Sequence, residues 1–167
     1  MSDLMRASGR ASASIYKLYP EKRAIYLAAL QQYMDEGIAR GAKRDEDLSP
    51  EAALRETLEF VALLSSSPGG EKGCFTIAAA SELLPGDEEI KRKVDHKFKS
   101  IINQLESILC KGQAQQCFRR DESPRVMAIS IFMMLEGMRV YGKIQPEIDD
   151  LKKCNEFIVR SVLLNRN

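Results

Sequence analysis

Hydroxyl groups and a lysine lie close together near the start of this chain, between positions 12 and 17. Ser12 and Ser14 carry hydroxyls that can hydrogen-bond to phosphate oxygens or base edges, and Tyr16 can do so while its ring packs on a sugar. Lys17 adds a cation within reach of a phosphate or a base. The small side chain of Ala13 would let a helix approach its partner closely. This chemistry is suited to nucleic acid binding.

These side chains fall within a short predicted helix that follows a glycine turn. Residues 3–8 have a helical pattern, and Gly9 can adopt the left-handed conformation that stops a helix. A second helix is predicted over residues 12–18, ending before Pro20. Helix, turn and short helix is the layout of a helix-turn-helix, whose second helix enters the major groove of DNA. A longer helix is then predicted from about Glu21 to Arg40.

The remainder of the chain predicts further helices and no strands. Ser49-Pro50 and Ser123-Pro124 each place a capping hydroxyl before a proline that the first helical turn tolerates. Asp87 is predicted to cap a longer helix, whose apolar residues recur every three or four positions from Ile90 to Leu109. Gly112 is predicted to mark the frayed end of that helix. A final helix is predicted near the C-terminus.

Charge is unevenly distributed along the chain. Residues 1–44 contain eight basic and four acidic side chains, whereas residues 45–167 contain 17 basic and 20 acidic ones. A basic head on a mildly acidic body suits nucleic acid binding at one end. No apolar run approaches the roughly 20 residues that span a bilayer, and the first residues lack the apolar core of a signal peptide. We therefore expect a cytoplasmic protein with no membrane partner.

Residue types that serve catalysis or metal binding are sparse. The four cysteines form no Cys-x-x-Cys pair and there is a single histidine, so no metal site and no cofactor are expected. The sequence contains no P-loop, no G-x-S-x-G and no convincing Cys/His dyad, so we expect no enzyme activity. Cys74 begins a predicted helix after Gly73, where the positive end of the helix dipole favours a thiolate. It is a candidate redox sensor, with a buried, inert thiol as the alternative.

The string DLMRASGRASASIYKLYPEKRAIYLAAL, from Asp3 to Leu30, resembles the second half of the DNA-binding domain of TetR-family (tetracycline-repressor-like) regulators. Gly9 matches the turn, residues 13–16 match the recognition helix, Tyr19 matches its terminal aromatic residue, and Lys22 matches the lysine that opens the next helix. The DNA-binding residues that this resemblance implies are Ser12, Ala13, Ser14, Tyr16, Lys17, Tyr19 and Lys22.

The likeness continues through the body of the chain. The segment GCFTIAAASELLPGDEEIKRKVDHKFKSIINQLESIL resembles the middle of a TetR-type effector domain, and residues 111–115 and 135–140 resemble two of its later helix segments. The resemblance implies an all-α fold, in which a partial helix-turn-helix head precedes a helical-bundle domain for effector binding and dimerisation. Residues 1–44 would form the truncated head with its connecting helix, and residues 45–167 the C-terminal domain.

Two features depart from the family pattern. The family domain begins with an additional helix that packs on the other two, whereas this sequence starts within the second helix. Arg10 also stands where the family has a small apolar residue. We expect the 167-residue chain to bind operator DNA weakly, as a shortened form of a complete regulator. The alternative is a headless ligand-binding and dimerisation module that no longer binds DNA, and the in-frame codons upstream of Met1 would distinguish the two.

The family resemblance also implies how such a protein would work. It would be a ligand-responsive regulator, a repressor, that binds double-stranded operator DNA as a homodimer and responds to a small-molecule effector of unknown identity. Its last two helices would pair with their copies. The predicted interface residues, for which a purely intramolecular core is the alternative, are Val126, Ile129, Phe132, Met133, Val140, Leu151, Ile158 and Val162.

A second apolar set is predicted to line an effector pocket. Four of the seven methionines lie in the predicted penultimate helix, and methionine adapts to varied apolar ligands. Ordinary core packing is the alternative for each of these residues. The predicted pocket residues are Phe60, Leu64, Phe75, Ile101, Leu105, Ile131, Met134 and Met138.

Overall fold

Helix starts follow the capping residues that the sequence offers. The computed structural model describes Arg6 and residues 17–44 and 48–164. Within them, the Ser49 hydroxyl accepts a hydrogen bond from Ala52 N, the Ser123 hydroxyl accepts one from Val126 N, and the Asp87 carboxylate accepts two backbone N–H groups. All three predicted caps are confirmed. They satisfy N–H groups that the first turn of a helix would otherwise leave unpaired.

The described residues form six α-helices, and the all-α prediction is confirmed. They are α1 (Lys22–Arg44), α2 (Pro50–Ser66), α3 (Phe75–Leu83), α4 (Glu88–Ala114), α5 (Pro124–Tyr141) and α6 (Ile148–Val162). Two short 3-10 turns, Gly70–Lys72 and Gly142–Ile144, lie before α3 and after α5. In these parts of the chain, every helix is too short or too polar to cross a bilayer.

Helix α4 is central and contributes to two apolar clusters. The larger one fills the space between α2, α4, α5 and α6, and includes Leu58, Leu105 and Phe118. The smaller one holds Leu30 of α1 against α3 and the first half of α4. Phe98 packs against both clusters, and its ring lies 5.0 Å from that of Phe132. Helix α1 is therefore fixed to the body by apolar packing along α4.

The prediction that Gly112 marks a frayed helix end is wrong. Gly112 is buried within α4, which continues to Ala114, and it faces the fully buried ring of Phe118. The glycine gives the ring room to pack directly on the helix backbone. Sequence pattern alone could not distinguish a glycine that ends a helix from one that accepts a neighbouring ring.

Four predicted interface residues require a correction. Phe132, Leu151, Ile158 and Val162 are each at most 9% exposed and belong to the chain's own core. Hydrophobic periodicity identifies residues that are buried, but it does not show whether the same chain or a second copy covers them. These four residues therefore stabilise the single chain.

Candidate functional site

A cavity of about 140 Å³ lies between α1, α2, α4 and α5. Helix α2 contributes an apolar wall that includes Phe60 and Leu64, and α4 continues it with Ile101 and Leu105. These are four of the eight residues predicted to line an effector pocket, and they lie together because the apolar stripes of α2 and α4 face each other here. Their role in binding an effector stays a prediction.

The other four predicted pocket residues lie elsewhere. The ring of Phe75 packs edge-on against Tyr26 and Tyr33, at 5.3 and 5.8 Å. Ile131 is part of the main core, while Met134 and Met138 line a groove between α5 and α6. Helix α5 is apolar on nearly every side, so its pattern could not indicate which side chains face which space.

The polar side of this cavity contains residues that were not predicted from the sequence. Lys97 of α4 is only 7% exposed, and its ammonium donates a hydrogen bond to Met34 O of α1 at 3.2 Å. Burial lowers the pKa of Lys97, because the charged form loses its hydration. The signal was present: Lys97 stands between Val94 and Ile101 at helical spacing, so it lies on the apolar stripe.

Glu136 of α5 and Thr57 of α2 also line the cavity. Burial raises the pKa of Glu136 to about 7, although the positive charges of Arg139 and Lys97 act in the opposite direction. Glu136 Oε2 and Thr57 Oγ1 are buried, and neither has a hydrogen-bond partner within the described part of the protein. Buried polar atoms usually have partners, so these two are candidates to bind a ligand.

Arg139 and Cys74 form the end of the cavity near α3. Arg139 donates hydrogen bonds to Gly73 O at 2.6 Å and to the Ser65 hydroxyl at 3.4 Å, which fixes the turn before α3. Cys74 is the N-cap residue of α3, is partly exposed, and has the Tyr33 hydroxyl 3.7 Å from its sulfur. The geometry leaves its role as a redox sensor a prediction.

Helix α1 is joined to α4 by polar contacts along its length. At its start, Arg23 pairs with Asp87, and further along Lys93 Nζ donates to Gln31 Oε1 at 2.7 Å. The contact of Lys97 with the α1 backbone is permitted by Gly37, since a Cβ there would lie 2.7 Å from Lys97 Nζ. A ligand that engages Lys97 would therefore act directly on α1.

Asp87→Asn should weaken the attachment of α1 and should do so in a pH-dependent way. Arg23 donates to Asp87 at 2.5 and 3.1 Å, and with two backbone N–H groups it lowers the pKa of this carboxyl to about 2. In the unfolded chain the pKa of an aspartate is near 4. The contribution of the Asp87 carboxylate to the stability of the fold is therefore complete above a pH of about 4 and is lost as the pH falls towards 2. We expect the Tm difference between the variant and the parent chain to shrink over that interval.

Asp95→Asn provides the matched control. Asp95 lies on α4 and, among the described residues, pairs only with Lys99, at 2.8 Å on an exposed surface, so its substitution should change Tm little at any pH. A Tm difference for Asp87→Asn that persists unchanged at pH 2 would show that the carboxylate charge is not what stabilises this contact.

The structure describes three of the seven predicted DNA-binding residues. Lys17, Tyr19 and Lys22 are all exposed, and Lys22 is the first residue of α1. The predictions for Ser12, Ala13, Ser14 and Tyr16 fall outside the described residues. The DNA-binding role of all seven stays a prediction.

An apolar surface covers the outer side of α5 and α6. Val126, Ile129, Met133 and Val140, all predicted interface residues, are at least 36% exposed on α5. Phe157 on α6 is 62% exposed, although sequence analysis did not assign it to the interface. Beside it, Met134, Gly137 and Tyr141 contribute to a groove of about 600 Å³. A contiguous apolar surface of this kind is typical of a protein interface.

Proteins similar in sequence are transcriptional regulators. The family model described as tetracyclin repressor-like, C-terminal domain, matches residues 50–153. The HTH-type transcriptional repressor ComR of Escherichia coli strain K12 is 26% identical over 117 residues, which make up 69% of this chain and 56% of ComR. The matched region therefore spans little more than half the length of this curated relative.

Solved structures of TetR-family regulators share the fold. One from Agrobacterium tumefaciens has a TM-score of 0.85 at 19% identity, with 98% of this chain and 86% of that chain covered. A cysteine variant of the regulator CifR, solved with a 26-base-pair operator DNA, has a TM-score of 0.80 at 20% identity, with coverage of 96% and 85%. The arrangement of α1 to α6 is thus the one found in these regulators.

Proposed function

This chain belongs to the tetracycline-repressor-like (TetR) family of transcriptional regulators, and we propose that it represses transcription by binding operator DNA as a homodimer until a small effector releases it. The observation that carries this proposal is the cavity in the body of the protein, one wall of which is α1, the helix that begins at the predicted DNA-binding residue Lys22. We assign residues 1–44 to the DNA-binding head with its connecting helix and residues 45–167 to the effector-binding and dimerisation domain. A regulator of this kind acts in the cytoplasm and is not an enzyme.

The effector would act through α1. Lys97 contacts the backbone of α1 at Met34, while Tyr33, Gly37 and Arg40 of α1 line the same cavity. A ligand that binds one position of α1 more tightly than another shifts the population of the two positions. Because two heads must match the spacing of successive major grooves, a small shift of α1 in each copy would change operator affinity.

The apolar surface on α5 and α6 would form the homodimer interface. Its exposed residues lie on the two helices that would pair with their copies in a four-helix arrangement. Pairing there would leave both α1 helices free to move relative to each other.

Selection from a pool of random DNA duplexes tests the proposed function. The 167-residue chain, and the same chain extended by its in-frame upstream codons, would each be used to enrich bound sequences. We expect a two-fold-symmetric site to be enriched, at least by the extended form, and we expect Lys17→Ala and Lys22→Ala to weaken binding to it. Each lost phosphate contact should also lower the salt dependence of the affinity by about one unit of slope.

Lys152→Ala serves as the control, since this exposed lysine lies on α6, far along the chain from the predicted head. It should leave DNA binding unchanged. If neither form of the protein enriches any sequence, DNA binding is refuted, and the alternative of a ligand-binding and dimerisation module that does not bind DNA is favoured. If Lys17→Ala and Lys22→Ala have no effect on a genuine site, the assignment of the head is wrong.

A further inference from the structure

We propose that the effector cavity binds a small organic acid, in which one carboxylate is attached to an apolar body about the size of a single ring. This inference rests on the proposed function, because it takes the cavity as the effector site. It adds the chemical class of the ligand, which follows from the charges, the unpaired polar atoms and the volume of the cavity.

Positive charge exceeds negative charge around the cavity. Arg40, Lys97 and Arg139 line it, whereas Glu136 is its sole acidic residue among those described. The Arg139 guanidinium is already held by Gly73 O and the Ser65 hydroxyl, and Arg40 lies near Glu36 at the surface. The charges at the cavity would repel a cationic ligand and attract an anionic one.

Lys97 is the group best placed to bind the carboxylate. Its ammonium has three N–H donors, and Met34 O is its one hydrogen-bond acceptor within the described residues. It is nine-tenths buried, so a ligand oxygen would meet a cation that water screens poorly. Hydrogen bonds between charged partners are about twice as strong as neutral ones.

The unpaired atoms of Thr57 and Glu136 complete a site for a carboxylate. The Thr57 hydroxyl can donate to a carboxylate oxygen, as can Glu136 in its protonated form. An anionic ligand would favour that protonated form, and burial already opposes ionisation of Glu136. Both buried atoms would then gain a partner, which removes the cost of leaving them unsatisfied.

The apolar wall and the volume of the cavity determine the polarity and the size of the rest of the ligand. Phe60, Leu64, Ile101 and Leu105 offer no hydrogen bonds from their side chains, so the body that packs there must be apolar. A cavity of about 140 Å³ is close in size to the engineered apolar cavity of roughly 150 Å³ that accommodates benzene. One ring or a short alkyl chain therefore fits this volume.

Isothermal titration calorimetry of the 167-residue chain tests this assignment, with benzoate, phenylacetate and hexanoate as probes. Each acid is paired with its amide, which keeps the shape and removes the charge. We expect at least one acid to bind, and its amide to bind at least about tenfold more weakly, since a hydrogen bond to a charged group contributes on the order of 1.5–3 kcal/mol. Lys97→Met should weaken binding of that acid by a similar factor.

Lys93→Met is the matched control, because Lys93 is also a lysine of α4 that contacts α1, at Gln31, but it does not line the cavity. It should leave the affinity for the acid unchanged. The proposal is overturned if no acid binds, if the amides bind as well as the acids, or if a folded Lys97→Met variant binds the acid normally. The comparison of acid with amide needs no variant, so it decides the matter even if Lys97→Met does not fold.

Failure of this inference can be distinguished from failure of the proposed function. Calorimetry is carried out without DNA, so failure of operator binding would leave the ligand class standing. Conversely, failure of every acid would overturn the ligand class while operator binding, measured by duplex selection, could still hold.

Discussion

Phe157→Asp should convert a dimer of this chain into a monomer. Phe157 is 62% exposed on α6, where it lines the same groove as the exposed α5 residues Met134 and Tyr141. An aromatic side chain at the centre of an interface commonly contributes about 2–4 kcal/mol, so its loss should raise the dimer dissociation constant roughly 30- to 1000-fold. The introduced carboxylate adds the cost of burying an unpaired charge. Light scattering coupled to size-exclusion chromatography at micromolar concentration measures the change.

Leu63→Asp is the matched control for this substitution. Leu63 is another exposed hydrophobic residue, 51% exposed, but it lies on α2, outside the apolar surface of α5 and α6. Its substitution should leave the mass in solution unchanged. A parent chain that is monomeric at high micromolar concentration, or a dimer that both variants leave intact, would contradict the interface proposed on α5 and α6.

Gly137 gives independent support for an interface on this surface. It lies in the middle of α5, where glycine costs about 1 kcal/mol relative to alanine, and a Cβ built there would have no atom within 4 Å. Nothing among the residues that the structure describes therefore requires a glycine at this position. A second copy packed on this surface would require a small residue there, because the absence of a side chain at Gly137 lets a partner helix approach closely.

Helix positions could be predicted from the sequence because capping is local chemistry. Ser49, Asp87 and Ser123 each bind N–H groups two or three residues away, so the signal and its effect lie within one turn. The all-α class followed from such signals together with helical periodicity. Gly112 shows the limit of this reasoning, since its function depends on Phe118, which the chain brings back to it from beyond the helix end.

The candidate site could be predicted only in its apolar half. Phe60 and Ile101 lie on stripes that periodicity reveals, but a stripe does not show which polar group stands opposite. Lys97 lies on the apolar stripe of α4, and Glu136 is the one acidic residue of α5, whose sequence is mostly apolar. A charged residue among apolar ones on a helix, such as Lys97 or Glu136, points to a buried charge. Their convergence on one cavity depends on the packing of α4 against α5, which no local pattern encodes.

The exposed surface was predictable to a similar extent. Sequence pattern identified α5 as a helix that needs cover on several sides, and Met133 and Val140 are indeed exposed there. It assigned Ile158 to the interface and did not assign its neighbour Phe157, although the two are adjacent in the chain. Adjacent helical positions point about 100° apart, so a small error in the orientation of α6 exchanges a core residue for a surface one.

Phe118→Ala should destabilise the body more than any other single substitution considered for this chain. Phe118 is fully buried between α4 and the start of α5, where its ring occupies the space that Gly112 leaves open. Removing a buried phenylalanine side chain costs about 3–5 kcal/mol. Backbone hydrogen bonds from Arg119 N to Val162 O and from Leu164 N to Cys117 O attach the same loop to the end of α6. The loss should therefore also loosen one of the two helices of the proposed interface.

The free energy of unfolding should be measured in the Phe157→Asp background, because unfolding of a monomer does not depend on protein concentration. Tyr141→Ala is the control: this aromatic residue is 51% exposed, so its removal should change the stability of the monomer by less than about 1 kcal/mol.

Gly112→Ala tests the same contact by changing the glycine instead of the ring, since the added methyl group would overlap the Phe118 ring and should cost about 1–3 kcal/mol. In the double variant Gly112→Ala/Phe118→Ala the methyl group no longer meets a ring, so the two costs should not add. Additive costs would show that Gly112 and Phe118 act separately, and that the ring is not what requires a glycine in α4.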